Sequence, residues 1–214
     1  MTTLNRRELC LALAGATCLS AAAQAQPAPV APVAGKDYLP VSPPVPVAGA
    51  GKVEVVEFFW YGCPHCNALE PTLNGWLKKL PADVYFHRVP VGFSPSHEFH
   101  QKIYYALESM GKVDALHDKV FAALHVEHKR LDKDEEVAAF MSANGLDGAK
   151  VVEAMKSFSV LGKARQAKQL SQAYHIDGVP TLGIQGRYTT SASLTGGADR
   201  LFTVVDALIA LARK

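Results

Sequence analysis

The chain has 214 residues, of which 49% are hydrophobic and 20% charged, with a formal net charge of +2 at pH 7. That length fits one ordinary domain, or one domain carrying an insertion, and is enough to bury a core without metal or disulfide staples. The near-neutral charge excludes a basic field for nucleic acid, the composition excludes a disordered or fibrous chain, and four cysteines are too few for a disulfide scaffold.

Residues 1–25 read as a secretory signal peptide. Arg6 and Arg7 open it, an apolar run follows from Leu9, and Ala23-Gln24-Ala25 is a small-x-small cleavage site. The apolar stretch is too short to span a bilayer permanently. Arg6-Arg7 also leaves twin-arginine export open, and Cys18 is a weak match to a lipoprotein cysteine. Cleavage near Ala25 removes Cys10 and Cys18, so Cys63 and Cys66 become the only cysteines. In an oxidising compartment such a pair spends part of its life as a disulfide. A loop this short yields little chain-entropy stabilisation, so chemistry explains the pair better than stability does.

Residues 26–51 hold seven of the thirteen prolines and only two charges, Lys36 and Asp37. They read as an extended tether, with 38–41 as an edge strand or surface clip. The apolar run at 53–60 reads as a buried strand. Tyr61-Gly62 breaks it, and a helix starts at Cys63 with Pro64 in the first turn. Cys66, Leu69, Leu73, Leu77 and Leu80 give that helix one apolar face, which Pro81 ends. A second strand follows at 84–91.

From 96 to 175 the apolar positions recur at helical spacing. The sets are Phe99 to Met110, Val113 to Leu124, Val137 to Met141, Val151 to Phe158, and Leu161 to Tyr174. That is four or five helices with no strand among them. Strands resume at 181–184 and 188–191 around a Gln185-Gly186-Arg187 turn, and a last helix covers 198–212. The architecture expected is α/β: a sheet domain formed by 52–95 and 176–214, split by an all-helical insertion at 96–175.

Cys63-Pro64-His65-Cys66 sits where the first strand meets its helix. At a helix start, Cys63 faces unpaired backbone N–H groups and the positive end of the helix dipole. Both favour thiolate over thiol, so its pKa should fall. Cys66 lies one turn deeper on the same face, within reach to close a disulfide. Cys63 is then the attacking and attacked sulfur and Cys66 the resolving one. A protonated or hydrogen-bond-donating His65 stabilises the thiolate further. A C-x-x-C is also half a zinc site, but no second C-x-x-C exists, and only a pairing with His97 and His100 or His125 and His128 keeps that reading open. A c-type haem requires His directly after Cys66, where Asn67 stands.

Glu57-Phe58-Phe59-Trp60-Tyr61-Gly62-Cys63-Pro64-His65-Cys66, with Glu70 four residues on, resembles the DsbA family of periplasmic thiol:disulfide oxidoreductases. The Pro-His dipeptide between the cysteines separates that family from others of the thioredoxin-like fold. The resemblance covers roughly 50–214 and implies a thioredoxin-like fold with a helical insertion. It also implies a low-pKa cysteine and an oxidising disulfide; the family is itself a reference case for both, so the helix-start argument reaches a known answer. By the same resemblance, Pro180 in Gly178-Val179-Pro180-Thr181 is the cis-proline beside the cysteines, and the Val179 backbone pairs with substrate. Glu57 and Glu70 match the two acidic positions near the thiols, where either could relay the proton of Cys66. The plain alternative for both is a solvated surface carboxylate. Some relatives carry a lysine in the next strand as counter-ion; 84–91 has none, and His87 or Arg88 is the candidate substitute. His117, His125, His128 and His175 read as surface or helix-end residues. Trp60 and Tyr61 read as an apolar rim, and Trp76 as ordinary packing.

The function implied is a thiol:disulfide oxidase of the periplasm that passes the Cys63–Cys66 disulfide to newly exported proteins. A DsbB-like quinone-linked membrane protein would reoxidise it, and neither metal nor organic cofactor is required. Alternatives are an isomerase or reductase of the same fold, a holdase for unfolded chains, and a metal carrier. Exported isomerases of this type are usually dimers built through an added N-terminal domain, for which 26–51 is too short, so a monomer is expected. Cys63→Ser separates oxidase from holdase, because only the oxidase would lose its activity.

Overall fold

The computed structural model describes residues 31–49 and 51–214; the signal-peptide reading of 1–25 lies outside the described residues. Five strands form one sheet: β1 (Leu39–Pro40), β2 (Val53–Phe59), β3 (Val84–Pro90), β4 (Thr181–Ile184) and β5 (Tyr188–Thr190). Their order is β1-β5-β4-β2-β3. β2 runs parallel to β3 and antiparallel to β4, while β5 is antiparallel to both β4 and β1.

β2 is buried along its whole length. Such a strand must be covered on both faces, and its alternate residues face two different cores. Val53 and Val55 pack with Leu69 and Leu73 of α1 (Pro64–Leu77) and Val205 and Leu208 of α8 (Ala198–Ala212). Val56 and Phe58 face the other way, toward Tyr174.

Five helices separate β3 from β4: α2 (Pro95–Ser109), α3 (Val113–His125), α4 (Asp134–Ala143), α5 (Gly148–Met155) and α6 (Phe158–Ala173). Side-chain caps begin three of them: Ser94, Asp147 and Ser157 each accept a backbone N–H three residues on. The Ser157 cap corrects one expectation. The apolar set Val151 to Phe158 does not share a helix, because Ser157 starts α6 and leaves Phe158 exposed. Helix α1 likewise stops at Leu77 rather than Leu80, with three-residue turns from Lys79 to Trp76 and from Leu80 to Leu77 carrying the chain onward. A short helix, α7 (Ala192–Thr195), links β5 to α8.

The segment before β2 is a strap on the sheet edge. β1 pairs with β5, and the N–H groups of Val41 and Val45 continue the contact to the carbonyls of Arg187 and Gly186. Gly186 has a φ of 63°, and a Cβ there would overlap the Val45 carbonyl, so the strap needs glycine at that turn. Asp37 is buried and accepts two hydrogen bonds from Arg200, at 3.2 and 2.8 Å, which ties the strap to α8.

Candidate active site

Cys63 is the N-cap of α1, with Pro64 in the first turn. Its Sγ accepts the Cys66 N–H at 3.4 Å and donates to the Val179 carbonyl at 3.5 Å. The Val179–Pro180 peptide bond is cis, as is Ser42–Pro43 in the strap. Both cysteines are free thiols. Cys66 has no exposed surface and Cys63 is 7% exposed, the order expected for a deeper resolving sulfur.

The Cys63 pKa is lowered to about 6. The hydrogen bond from the Cys66 thiol contributes most and outweighs the opposing cost of burial. Backbone N–H groups of Cys66 and His65 add to it, and the His65 charge adds less. The helix-start argument therefore holds, but the partner thiol contributes more than the helix end. His65 is exposed, and its ring makes no hydrogen bond among the described residues. The Cys66 thiol is pushed far above the ordinary thiol range by its bond to Cys63 and by burial.

Beneath the thiols lies a buried ionic cluster. Glu57, with no exposed surface, stands directly opposite Arg88 across β2 and β3. Arg88 Nε donates to Glu57 Oε2 at 3.0 Å, and its Nη2 donates to Glu70 Oε2 at 3.0 Å. Arg88 is thus the counter-ion, and His87 instead lies 3.6 Å from Glu54. Burial raises the Glu57 pKa to about 8 against the pull of Arg88. Burial acts on Glu70 in the same sense, but hydrogen bonds from His117 and Arg88 overcome it and lower its pKa.

Two sequence expectations are corrected here. His117 is not a surface residue: it is 4% exposed and its ring bridges Tyr61 Oη at 2.9 Å and Glu70 Oε1 at 3.3 Å. Tyr61 is not part of a rim: it is 1% exposed, packed among Phe59, Phe121 and His117. The spacing could have shown this, since His117 falls four residues after Val113 and three before Val120, on the buried face of α3. His125 ends α3 as expected, yet its Nε2 also binds the Tyr61 carbonyl at 2.8 Å. Trp60 is half-buried, lies against Gly62 and stacks on His97 at 4.0 Å between ring centroids. Trp76 packs on Phe202 and bonds to Asp206, as ordinary packing.

A groove of about 580 Å³ opens beside Cys63, with mostly apolar walls that include His65, Leu69, Val179, Pro180 and Thr181. Among the described residues, no group of three or more His, Cys, Asp or Glu is placed to hold a metal ion.

A parallel β2–β3 pair, an antiparallel β4–β5 pair and a cysteine pair at the first helix start make this a thioredoxin-like fold. Residues 83–209 match the DSBA-like thioredoxin domain. The chain is 45% identical over 176 residues to the thiol:disulfide interchange protein DsbA of Pseudomonas aeruginosa, covering 82% of this chain and 83% of that one. It is 41% identical over 215 residues to the DsbA of Bordetella parapertussis, covering 100% and 99%. The crystal structure of Pseudomonas aeruginosa DsbA superposes with a TM-score of 0.82 at 44% identity, covering 85% of this chain and 94% of that one. The chain belongs to the DsbA family of thioredoxin-like proteins.

Proposed function

We propose that this protein is a thiol:disulfide oxidase acting on exported proteins, with Cys63 as the sulfur that meets substrate. The observation that carries this reading is the Cys63 thiol, lowered to about 6, held against the Val179 carbonyl at the edge of an open groove. A thiol that ionises this easily is a good leaving group, and a stabilised reduced form makes the disulfide a stronger oxidant.

In the forward reaction a substrate thiolate attacks Cys63 Sγ of the Cys63–Cys66 disulfide. The S–S electron pair leaves on Cys66, which takes up a proton, and a mixed disulfide forms at Cys63. Glu57, which keeps its proton to about pH 8, is suited to supply it. A second substrate thiolate attacks the substrate sulfur of that mixed disulfide and expels the Cys63 thiolate. The substrate leaves with a disulfide and the protein is left with two reduced cysteines. The Val179 carbonyl beside Pro180, where Cys63 now donates, is the backbone group offered to a substrate chain. Pro64 and His65 complete the turn that presents Cys63.

Export rests on the Arg6-Arg7 start and Ala23-Gln24-Ala25 in the sequence, and places the protein in the periplasm after cleavage near Ala25. A DsbB-like quinone-linked membrane protein then reoxidises Cys63 and Cys66, accepting two electrons and two protons, and the redox-active disulfide needs no further cofactor. The helical segment 96–175 acts as an inserted domain between the sheet halves, and the chain works as a monomer. Equilibration with glutathione buffers tests the oxidase reading. The expected potential lies well above the glutathione poise; one near or below that of thioredoxin would make the protein a reductase or isomerase.

A further inference from the structure

Helix α3 contains no cysteine and lines no part of the groove, yet it holds Tyr61 at both ends. His117 binds the Tyr61 hydroxyl, and His125, eight residues on, binds the Tyr61 carbonyl. That carbonyl belongs to the peptide joining Tyr61 to Gly62, immediately before Cys63. On its other side His117 reaches Glu70, and Glu70 shares Arg88 with Glu57. One unbroken chain of side chains thus runs from Tyr61 through His117, Glu70 and Arg88 to Glu57.

The hydrogen bonds fix the direction of this chain. An ionised Glu70 can only accept, so His117 Nε2 must carry the hydrogen. A neutral imidazole has one N–H, so Nδ1 accepts and the Tyr61 hydroxyl donates. Burial keeps His117 neutral, by lowering its pKa. The charged and titratable groups that face it are Glu70 on α1, Arg88 on β3, Tyr61 in the turn, Tyr104 on α2, and Asp118 on its own helix.

We propose that His117 is a positioning residue for the thiol chemistry: it joins Glu70 to Tyr61, and so sets the charge state of the acid pair beneath Cys66 while holding the turn that presents Cys63. The proposal rests on the reading that Glu57 exchanges a proton with Cys66. Donation from His117 helps Glu70 remain a carboxylate inside the protein. That negative charge competes for Arg88 and discourages ionisation of Glu57. Without His117, Glu70 takes up a proton at higher pH, and the range over which its charge stands beside Glu57 and holds Arg88 narrows.

Carbon-13 NMR titration of the glutamate carboxyls in the reduced full chain tests this. In His117→Phe the Glu70 midpoint should rise by about one pH unit, the size expected for losing one charge-assisted hydrogen bond. His117→Gln, whose amide can donate to Glu70 and accept from Tyr61, should restore it. A purely structural role would lower the melting temperature and leave the midpoint in place, which would overturn the proposal. Tyr61→Phe removes one oxygen and keeps the ring packing, so it carries the same test should His117→Phe fail to fold. It should shift the midpoint in the same direction by less, and no shift would count against the proposal. Failure of the underlying reading shows elsewhere: Glu57→Gln would then keep the wild-type alkaline limb of substrate oxidation.

Discussion

Glu57 and Arg88 stand directly opposite each other on β2 and β3 and meet at 3.0 Å, where Glu57 has no contact with solvent. The pairing is a consequence of register, because a shift of one residue would bring His87 to that face instead. Arg88 also serves Glu70, so its removal would strand the buried Glu70 carboxylate and leave the protonated Glu57 without its partner. Arg88→Met should therefore destabilise the protein by about 3–5 kcal/mol, the usual cost of breaking a buried ion pair from one side. Urea denaturation near neutral pH measures it, and a loss under about 1 kcal/mol would show that the acids do not depend on Arg88.

The raised pKa of Glu57 has a definite sign in stability. The unfolded chain loses this proton near pH 4.3, the folded protein at about 8. Between those values only the folded state holds it, so the contribution is complete below the unfolded pKa and is lost as pH rises through the folded one. Glu57→Gln mimics the protonated acid at every pH. Its stability should fall less than that of the parent between about pH 5 and 8, as read from urea midpoints. Parallel curves would place the proton elsewhere.

Cys63 works in the opposite sense. Its folded pKa of about 6 lies below that of an unfolded thiol, so the reduced protein gains stability above the unfolded value and loses it as pH falls through 6. The oxidised protein has no such group. Reduced protein should therefore gain on oxidised protein as pH rises from about 5 to 8, and the thiolate absorbance should titrate with a midpoint near 6. A midpoint near 8.5, that of a free thiol, would contradict the tuning.

Gly62 tests the packing beside the thiols. A Cβ at this position would overlap the Trp60 indole, which is already stacked on His97. Gly62→Ala should cost about 1–3 kcal/mol through displacement of that ring, measured by denaturant unfolding with tryptophan fluorescence as a second readout. Unchanged fluorescence and stability would mean that the turn yields instead.

Much of this architecture is legible in the residues. The run at 53–60 gives β2, Gly62 and Pro64 give the break and the start of α1, and the terminal helix falls at Ala198–Ala212 as its apolar spacing predicts. The thiol pair and the two acids are singled out by one stretch that resembles a known family, and Pro180 by a second. What escapes is what depends on tertiary contact. Arg88 rather than His87 follows from register, and register is not written in either strand alone. His117 looks like any helical histidine until Glu70 and Tyr61 arrive from elements far away in sequence. Tyr61 follows an aromatic run and so resembles a surface rim, but the phenol turns inward because His117 offers its hydroxyl a buried acceptor.

The strap from 31 to 49 bears on how this protein avoids its own clients. A sheet edge is a template, and an extended polypeptide carrying free N–H and carbonyl groups will pair with it. A protein that exchanges disulfides with other polypeptides, as proposed above, is exposed to that hazard. Here the outer strand is β1, only two residues long, and the chain around it carries Pro40, Pro43, Pro44 and Pro46. Each proline is a position that cannot donate to an incoming strand. A strand this short and this rich in proline offers few groups to an incoming chain, so at the β1 side of the sheet strand addition is disfavoured.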